Sequence, residues 1–541
     1  MVKTLDMNTK LCMRLCLSLL MVGLNFSNCA KERASQSSAV TNDEIGTAVG
    51  LESPPKVGSV PFGNMMGVNG FDWEYTNGTT FNPQKFELIK TFTGFRQYLD
   101  WGRVEEKEGF YRFSYDEIYA KNKAHGILTL PCLQIIAGWF RAKYYPDEFD
   151  PNNAYASLRD YIMVPKGASK LDPASYVDFA ELGFQFAARY GKNKDVDPSL
   201  IRAVTWGDRP DIKIGLGTLE YIECSNEPDK NWAGPNGQQS PEEYAAQLSA
   251  FYDGHMGTLG EGVGVKNADP SMKVVMAGIA SPDVEWVNRM IAWCKENRAK
   301  DGSYTLCFDV INYHEYAAVR EGQYWDSPDL TKNHGIAPEL SDAGRIASDF
   351  INMSNSQAGG LEVWVTECGY DVNEKSIMRA LPIGRKSALD TQADWILRTS
   401  LLYARVGINR VFFYMLNDVH RESPIQYNSS GLVESMSRRP ASDFLLQVKN
   451  LMGEYVYSGT IHSDPIVDVY SFNEKNIYVL TVPDQVGREE DYDLPLPGIS
   501  EVRIHHPQAG SDKMRIQRAG ITDGVLKIKV TETPVFVEAV Q

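Results

Sequence analysis

Two glutamates, Glu227 and Glu367, are the residues of this chain whose setting best suits chemistry. Glu227 follows the apolar run 221–225, and Pro228 after it restrains the turn. Glu367 ends a second apolar run, 363–366. Each acid is therefore predicted to stand where a strand ends. Two carboxylates that face one site are the groups that cleave a glycosidic bond, one as proton donor and the other as nucleophile or base.

The segments around both glutamates alternate short apolar runs with longer helical patterns. Eight candidate strands are found at 65–69, 94–100, 127–135, 221–226, 273–278, 308–316, 361–366 and 410–416. Between them, Ser240, Pro241 and Glu243 form one clear helix start, with a capping serine and a proline in the first turn. Eight such units predict an α/β protein with a (β/α)8 TIM barrel, whose chemistry lies at the C-terminal ends of its strands.

The pattern changes after residue 451, where no helix signal intervenes between strands. Five short alternating runs follow at 466–472, 476–481, 501–505, 526–530 and 535–539, which predict an all-β sandwich domain packed on the barrel. The predicted division is a signal peptide at 1–28, a tether at 29–55, the catalytic barrel at 56–450 and the C-terminal β-sandwich at 451–541. Two insertions, at 139–167 and 196–217, are predicted before the fourth strand, the first of them over the mouth of the barrel.

The N-terminal segment has the features of an export signal. A basic start precedes the apolar run 15–26, which is too short to span a bilayer. The sequence Phe26-Ser27-Asn28-Cys29 resembles a bacterial lipoprotein cleavage box, with Cys29 as the lipid-bearing residue. The prediction is an outer-membrane or cell-surface lipoprotein that the membrane holds through an N-terminal lipid anchor. Ordinary signal cleavage, which would give a periplasmic protein, stays open.

Composition excludes some partners. The formal charge of −16 would repel nucleic acid phosphates, so a nucleic-acid partner is not expected.

Five cysteines follow Cys29, an odd number with no CxxC pair. They are interpreted as small buried hydrophobes rather than as disulfides or a zinc or redox site. No metal or organic cofactor is predicted. The oligomeric state stays open.

Further residues are candidates for binding a sugar. Asn226 can donate an amide hydrogen bond to a sugar hydroxyl. Residues 312, 314 and 316 share one face of a strand by alternation, so His314 can bind sugar hydroxyls and Tyr316 can touch the nucleophile. A histidine satisfied within the core is the alternative. Three aromatic residues are candidate platforms for the apolar face of a pyranose, with core packing as the alternative: Trp139, Trp232 and Tyr414.

The stretches 221–232 (YIECSNEPDKNW) and 365–370 (VTECGY) resemble the clan A glycoside hydrolases, which are retaining (β/α)8 enzymes. The trailing β domain resembles that of family 39, whose members are β-xylosidase-like. The resemblance implies that Glu227 is the acid/base and Glu367 the nucleophile. It also implies that Arg96, on the second strand, keeps the nucleophile ionised. The clan commonly has a tryptophan at strand eight, whereas residues 412–415 read FFYM, which alters the innermost sugar subsite.

These observations predict a retaining glycoside hydrolase that cleaves β-glycosidic bonds of a poly- or oligosaccharide by double displacement. The family 39 resemblance favours β-xylosidase-like exo action, and an endo-acting β-glucanase or galactanase of the same clan is the alternative. A non-catalytic glycan-binding lipoprotein would need aromatic platforms but no acid pair. A serine esterase lacks support, because the chain has no GxSxG elbow.

Overall fold

The computed structural model describes residues 59–148, 161–321 and 329–540. Within these ranges eight parallel strands form a closed barrel in chain order, and the last pairs with the first. The strands are β1 (Gly67–Gly70), β2 (Gly94–Asp100), β3 (Leu128–Gln134), β4 (Tyr221–Cys224), β5 (Lys273–Met276), β6 (Val310–His314), β7 (Glu362–Cys368) and β8 (Arg410–Phe413). The predicted (β/α)8 barrel is confirmed.

A helix of 7 to 19 residues follows each barrel strand. In chain order the helices are α1 (Pro83–Ile89), α2 (Asp116–Ala124), α3 (Val177–Tyr190), α4 (Pro241–Asp253), α5 (Val284–Asn297), α6 (Ala343–Gln357), α7 (Ala388–Val406) and α8 (Pro440–Met452). Additional helices lie at Trp101–Val104, Gly138–Tyr144 and Val265–Ala268. The predicted start of α4 is confirmed, because Ser240 and Glu243 form a reciprocal capping box. Among the described residues, no helix is both long enough and apolar enough to cross a bilayer.

The second domain is a two-layer β-sandwich, as predicted. Its strands are β9 (Val456–Ser463), β10 (Ile466–Phe472), β11 (Lys475–Thr481), β12 (Glu490–Pro495), β13 (Glu501–His506), β14 (Arg515–Gly520), β15 (Val525–Val530) and β16 (Val535–Ala539). One layer has the order β9-β10-β11-β16-β13-β14, and the β12–β15 pair forms the other. Buried residues from both layers, such as Val467, Leu494 and Val537, share one apolar core. An ion pair between half-buried Arg405 of α7 and buried Asp468 (2.7 Å) joins α7 to this domain.

Three strands of the sandwich, β9, β12 and β14, were not predicted. Their residues are exposed or half-buried except for Leu494 of β12. A strand that buries little side-chain surface needs no alternation of apolar and polar residues, so the sequence signal is absent.

The predicted insertions differ in position. The segment 196–217 lies along α2 and α3, because Arg189 of α3 pairs with both Asp116 of α2 and Asp211 of the insertion (2.8 and 3.0 Å). The segment 139–167 begins within the helix Gly138–Tyr144, and part of it lies outside the described residues.

Residues 1–55, with the predicted signal, tether and Cys29, lie outside the described residues. The five cysteines of the described ranges are buried and free, as the sequence interpretation expected.

The interior of the barrel has an apolar layer below a polar one. Five side chains with no exposed surface fill the lower layer: Leu130, Val275, Val310, Trp364 and Phe412. Toward the C-terminal ends of the strands the inner residues become polar, with buried Arg96, Glu223 and Asn312. This polar layer supports the residues at the mouth of the barrel.

Candidate active site

The two predicted glutamates meet at the C-terminal end of the barrel. A carboxylate oxygen of Glu227, a carboxylate oxygen of Glu367 and a ring nitrogen of His314 all lie within 4.8 Å of one another. The side chain of Glu227 is 22% exposed and that of Glu367 is 8% exposed. Carboxyl groups about 5–5.5 Å apart are typical of retaining glycosidases, and about 6.5–9.5 Å of inverting ones. The 4.8 Å limit between one oxygen of each carboxylate is compatible with the shorter class.

A strained turn after β4 presents Glu227. Ser225 (φ 72°) and Glu227 (φ 48°) both have left-handed backbone, which ends β4 at Cys224, before the predicted end at 226. The Glu227 amide donates to the Gly278 carbonyl beyond β5 (3.1 Å), and the Ser225 amide donates to Leu133 of β3 (2.8 Å). Neighbouring strands thus fix the turn, and such strain in non-glycine residues is typical of functional sites.

A β-bulge in β7 presents Glu367. Tyr313 of β6 is opposite Val365, but the next residue, His314, is opposite Glu367. The extra residue in β7 lets both Thr366 and Glu367 reach the barrel interior, because a bulge interrupts strict alternation of side chains. Regular alternation would turn one of the two away from it.

Three hydrogen-bond donors surround the Glu367 carboxylate. Its Oε1 accepts from the Tyr98 hydroxyl (2.5 Å) and from Nη1 of Arg96 (2.9 Å). Its Oε2 accepts from the Tyr316 hydroxyl (3.0 Å). Burial by itself raises the pKa of Glu367, but the charges of His314 and Arg96 and the hydrogen bond from Tyr98 outweigh it and lower the pKa below its usual value. Glu367 is therefore held as a carboxylate.

Arg96 connects Glu367 of β7 with the residues around the end of β4. Its guanidinium is fully buried and makes a bidentate pair with Glu223 (2.6 and 2.9 Å). Its Nη2 also donates to Oδ1 of Asn226 (2.7 Å). Because a guanidinium only donates, the Asn226 oxygen is occupied and its NH2 group is left to donate to a ligand. Loss of one partner of a buried pair costs about 3–5 kcal/mol, so Glu223 is important for retaining Arg96 in the barrel.

His314 lies between the two glutamates and is buried. Its Nδ1 is 3.0 Å from Glu227, and its Nε2 is 3.1 Å from the Thr366 hydroxyl. Burial lowers the pKa of His314, but the charges of Glu367 and Glu227 and the hydrogen bond to Glu227 raise it overall. Both ring nitrogens are engaged within the protein, so the structure gives His314 a role in positioning Glu227. Direct binding of sugar hydroxyls by His314 stays a prediction.

Gly278 leaves the space that the imidazole occupies. A Cβ atom on Gly278 would lie 2.1 Å from Nε2 of His314, far inside contact distance. Glycine at this position therefore allows the close approach of β5 to the ring of His314.

A metal ion is disfavoured at this cluster, although the ligand atoms of Glu227, His314 and Glu367 are close enough to hold one. Both ring nitrogens of His314 are already engaged, with Glu227 (3.0 Å) and with the Thr366 hydroxyl (3.1 Å), so a metal would have to displace one of these partners. The Arg96 guanidinium, 2.9 Å from Glu367, would also repel a cation. The positive charge of Arg96 and the negative charges of Glu227 and Glu367 lie together in this site. A neutral ligand fits such a site, and the carboxylates can stabilise positive charge that develops on it during a reaction.

The three predicted aromatic platforms have different surroundings. Tyr414 lies near the residues around Glu367, with its ring 6.2 Å from that of Tyr98, which donates to Glu367. Trp232 is 55% exposed on the segment after Glu227. Trp139 packs edge-on against the buried Trp101 (5.4 Å), in the manner of a core residue. Contact of any of them with a sugar stays a prediction.

Several residues of the site were not predicted. Tyr98 forms a hydrogen bond with Glu367, and Thr366 forms one with His314. Glu223 pairs with Arg96, and the ring of Tyr427 is 4.6 Å from that of Tyr316. Tyr98 had a sequence signal, because residues 96 and 98 of one strand share a face. Tyr427 had none, since it belongs to a loop.

The hydrogen bond from Tyr98 predicts a pH effect. If Glu367 is the nucleophile that the sequence predicts, it must be ionised to attack, and the acid limb of kcat/KM then follows its lowered pKa. In Tyr98→Phe the pKa rises, and the acid limb is expected to shift to higher pH by about one unit or more. A hydrogen bond to a charged group contributes about 1.5–3 kcal/mol, and one pKa unit corresponds to about 1.4 kcal/mol. The measurement is kcat/KM against pH.

Tyr313→Phe is the matched control for this experiment. Tyr313 is buried, and its hydroxyl has no hydrogen-bond partner among the described residues. Its removal should leave the profile unchanged. An acid limb that does not move in Tyr98→Phe would contradict the role given to this hydrogen bond.

The fold is shared with glycoside hydrolases of solved structure. A family 39 glycoside hydrolase from the gut symbiont Bacteroides cellulosilyticus WH2 superposes with a TM-score of 0.58 at 14% identity, over 90% of this chain and 83% of that one. The catalytic domain of GH30 xylanase C from Talaromyces cellulolyticus gives 0.50 at 12% identity, over 90% and 99%. CelM2, a bifunctional glucanase-xylanase from a metagenome library, gives 0.50 at 11%, over 89% and 97%.

At these identities the similarity establishes the architecture, a barrel followed by a β domain. The predicted resemblance to glycoside hydrolases is thereby confirmed at the level of the fold. No protein-family model matches the sequence, and no curated protein matches it.

Proposed function

We propose that this protein is a retaining glycoside hydrolase that cleaves β-glycosidic bonds, with Glu227 as acid/base and Glu367 as nucleophile. The observation that carries the proposal is the arrangement of the two glutamates. One oxygen of each carboxylate lies within 4.8 Å of the other, and of the two glutamates Glu367 is the one that Arg96 and two tyrosine hydroxyls surround. The shared fold with glycoside hydrolases supports the same reaction class.

The surroundings of each glutamate suit its proposed role. A nucleophile must stay ionised, and the lowered pKa of Glu367 meets this requirement. Its Oε1 already accepts two hydrogen bonds while Oε2 accepts one, so Oε2 has a lone pair for the anomeric carbon. An acid/base must exchange protons with the leaving group and with water, and Glu227 is the more exposed of the two.

The reaction then follows in two steps. Glu227 gives its proton to the glycosidic oxygen as Glu367 attacks the anomeric carbon, which forms a covalent glycosyl ester and releases the alcohol. Glu227, now a carboxylate, takes a proton from water, whose oxygen displaces Glu367. Nδ1 of His314, 3.0 Å from Glu227, orients the carboxyl group in both steps. Two inversions leave the configuration retained.

We further propose β-xylosidase-like exo action, supported by the family 39 neighbour and by the family 39 resemblance of the sequence. A panel of aryl β-glycosides beside intact polysaccharides tests it. The expected result is fastest release from the aryl β-xyloside, with first-formed product of β configuration by NMR. Rapid loss of polysaccharide viscosity would instead establish endo action. Endo action is the second candidate, and the structural similarity to a glucanase-xylanase supports it. A first-formed α product would contradict the retaining mechanism.

We also propose that the protein is an exported lipoprotein anchored through Cys29, on the support of the sequence Phe26-Ser27-Asn28-Cys29 after a short apolar run. In a Gram-negative host the wild-type protein should fractionate with membranes, and Cys29→Ser should move it to the soluble fraction. Cys16→Ser, within the apolar run, is the matched control and should stay with the membranes. A Cys29→Ser variant that stays membrane-bound would exclude the lipid anchor.

A further inference from the structure

Tyr427 has a backbone conformation that an aromatic residue rarely adopts. Its φ of 71° lies in the left-handed region, where side chains with a Cβ are strained and glycine or asparagine is preferred. A loop that needed only to turn would be better served by one of those two residues. Strain of this kind persists where surrounding contacts enforce it, and it is concentrated at functional sites.

Asp371 holds Tyr427 in this conformation. The Asp371 carboxylate has no exposed surface and accepts from the Tyr427 amide (2.8 Å), the Ser429 amide (3.1 Å) and the Ser376 hydroxyl (2.5 Å). Asp371 follows β7, the strand that carries Glu367, whereas Tyr427 belongs to the loop after β8. The loop that follows Glu367 thus holds the backbone from which the ring of Tyr427 projects.

The ring of Tyr427 stands beside the reacting groups. Its centroid is 4.6 Å from that of Tyr316, the residue that donates to Glu367, and 6.4 Å from that of Tyr414. Burial raises the pKa of the Tyr427 phenol, Arg320 opposes this, and the charges of Glu227 and Glu367 raise it further. The phenol is therefore protonated and lies in the field of both glutamates.

The hydroxyl of Tyr427 keeps a proton to donate. Nη2 of Arg320 lies 3.4 Å from this oxygen, and a guanidinium can only donate, so the oxygen is the acceptor in that contact. Tyr427 as a whole is half-buried, so it is not sealed inside the core. An aromatic ring that carries a hydroxyl donor is suited to a neutral pyranose, which presents both apolar C–H groups and hydroxyls.

We propose that Tyr427 contacts the sugar unit bound over Glu367 and sets which sugar is accepted there, and that Asp371 is the positioning residue for it. The inference rests on the proposed glycoside hydrolase function and adds a specificity residue to it. Because the contact is to bound sugar rather than to the reacting bond, it acts mainly on KM and on the choice between sugars.

The test compares Tyr427→Phe, Tyr427→Asn and Asp371→Asn on aryl β-xyloside and aryl β-glucoside. Tyr427→Asn should raise KM on the order of tenfold, the loss expected for one hydrogen bond with its ring contact, and should change the ratio of kcat/KM between the two sugars. Tyr427→Phe should give a smaller change in the same direction. The melting temperature of Tyr427→Asn should not fall, because asparagine tolerates the left-handed backbone.

Two comparisons separate this role from a structural one. Met436→Asn makes the same kind of substitution at an exposed left-handed position (φ 65°) and should leave KM and the sugar ratio unchanged. Asp371→Asn should raise KM in the wild-type background but should add little to Tyr427→Asn, since its effect passes through the ring.

The outcome is decided by KM and the sugar ratio, with Glu367→Ala measured in parallel. If Glu367→Ala is inactive but the Tyr427 variants keep wild-type values, this inference alone is overturned. If Glu367→Ala stays active, or the wild type cleaves no glycoside, the proposed function falls and the inference with it. Should Tyr427→Asn fold poorly, Tyr427→Phe decides alone.

Discussion

Glu367→Ala is expected to lower kcat by about four orders of magnitude or more on every glycoside, because no nucleophile remains to form the covalent intermediate. The variant should still fold. Arg96, which bonds Glu367 at 2.9 Å, keeps its bidentate pair with Glu223, so no buried charge is left alone. The measurement is steady-state hydrolysis of an aryl β-glycoside, with circular dichroism to verify the fold.

Chemical rescue makes this result specific to a nucleophile. The lost side chain leaves a cavity beside Arg96 that a small anion such as azide or formate can enter. The anion attacks from the face that Glu367 occupied, and the product has inverted configuration. Glu362→Gln changes a glutamate at the other end of the same strand and should keep wild-type activity. Full activity of Glu367→Ala without an added anion would contradict the assignment.

Glu227→Ala is expected to give a different pattern that depends on the leaving group. On a natural substrate the first step needs a proton donor, so turnover should fall by about two to four orders of magnitude. On an aryl glycoside with a good leaving group the first step needs little proton donation and stays fast. The glycosyl intermediate on Glu367 then accumulates, because its hydrolysis has lost the base. Pre-steady-state kinetics should reveal a burst, and intact-protein mass spectrometry should detect the adduct.

Azide distinguishes the two variants by stereochemistry. In Glu227→Ala it attacks the accumulated intermediate, speeds the second step and yields a glycosyl azide of retained configuration. In Glu367→Ala the azide product is inverted. Identical responses of the two variants, or full activity of Glu227→Ala on natural substrate, would show that the roles are assigned wrongly.

Regular elements near the site follow the sequence closely. The alternation of Asn312, His314 and Tyr316 predicts one inward face, and their side chains do meet Glu223, Glu227 and Glu367 in that order. The strand that carries Arg96 has the predicted bounds, 94–100. Burial of one face of a strand makes apolar and polar residues alternate. Where the strand is regular, this alternation predicts which side chains point inward.

The irregular backbone segments of the site could not be predicted from such a pattern. The bulge that lets both Thr366 and Glu367 reach His314 leaves no periodic signal. The left-handed turn at Glu227 and the strained Tyr427 depend on partners from neighbouring strands and loops, such as Gly278 and Asp371. A conformation of high local energy cannot be read from local preference, because distant contacts stabilise it.

The sequence by itself determined the eight βα units, the β-sandwich that follows, and the two acids where strands four and seven end. Local periodicity, turn residues and residue chemistry contain that information. Only the tertiary structure decided that Tyr98 and Tyr316 flank Glu367, that Arg96 joins it to Glu223, and that His314 orients Glu227. Closing the barrel brings residues far apart in the chain onto one set of hydrogen bonds, and only that closure makes two similar glutamates unequal.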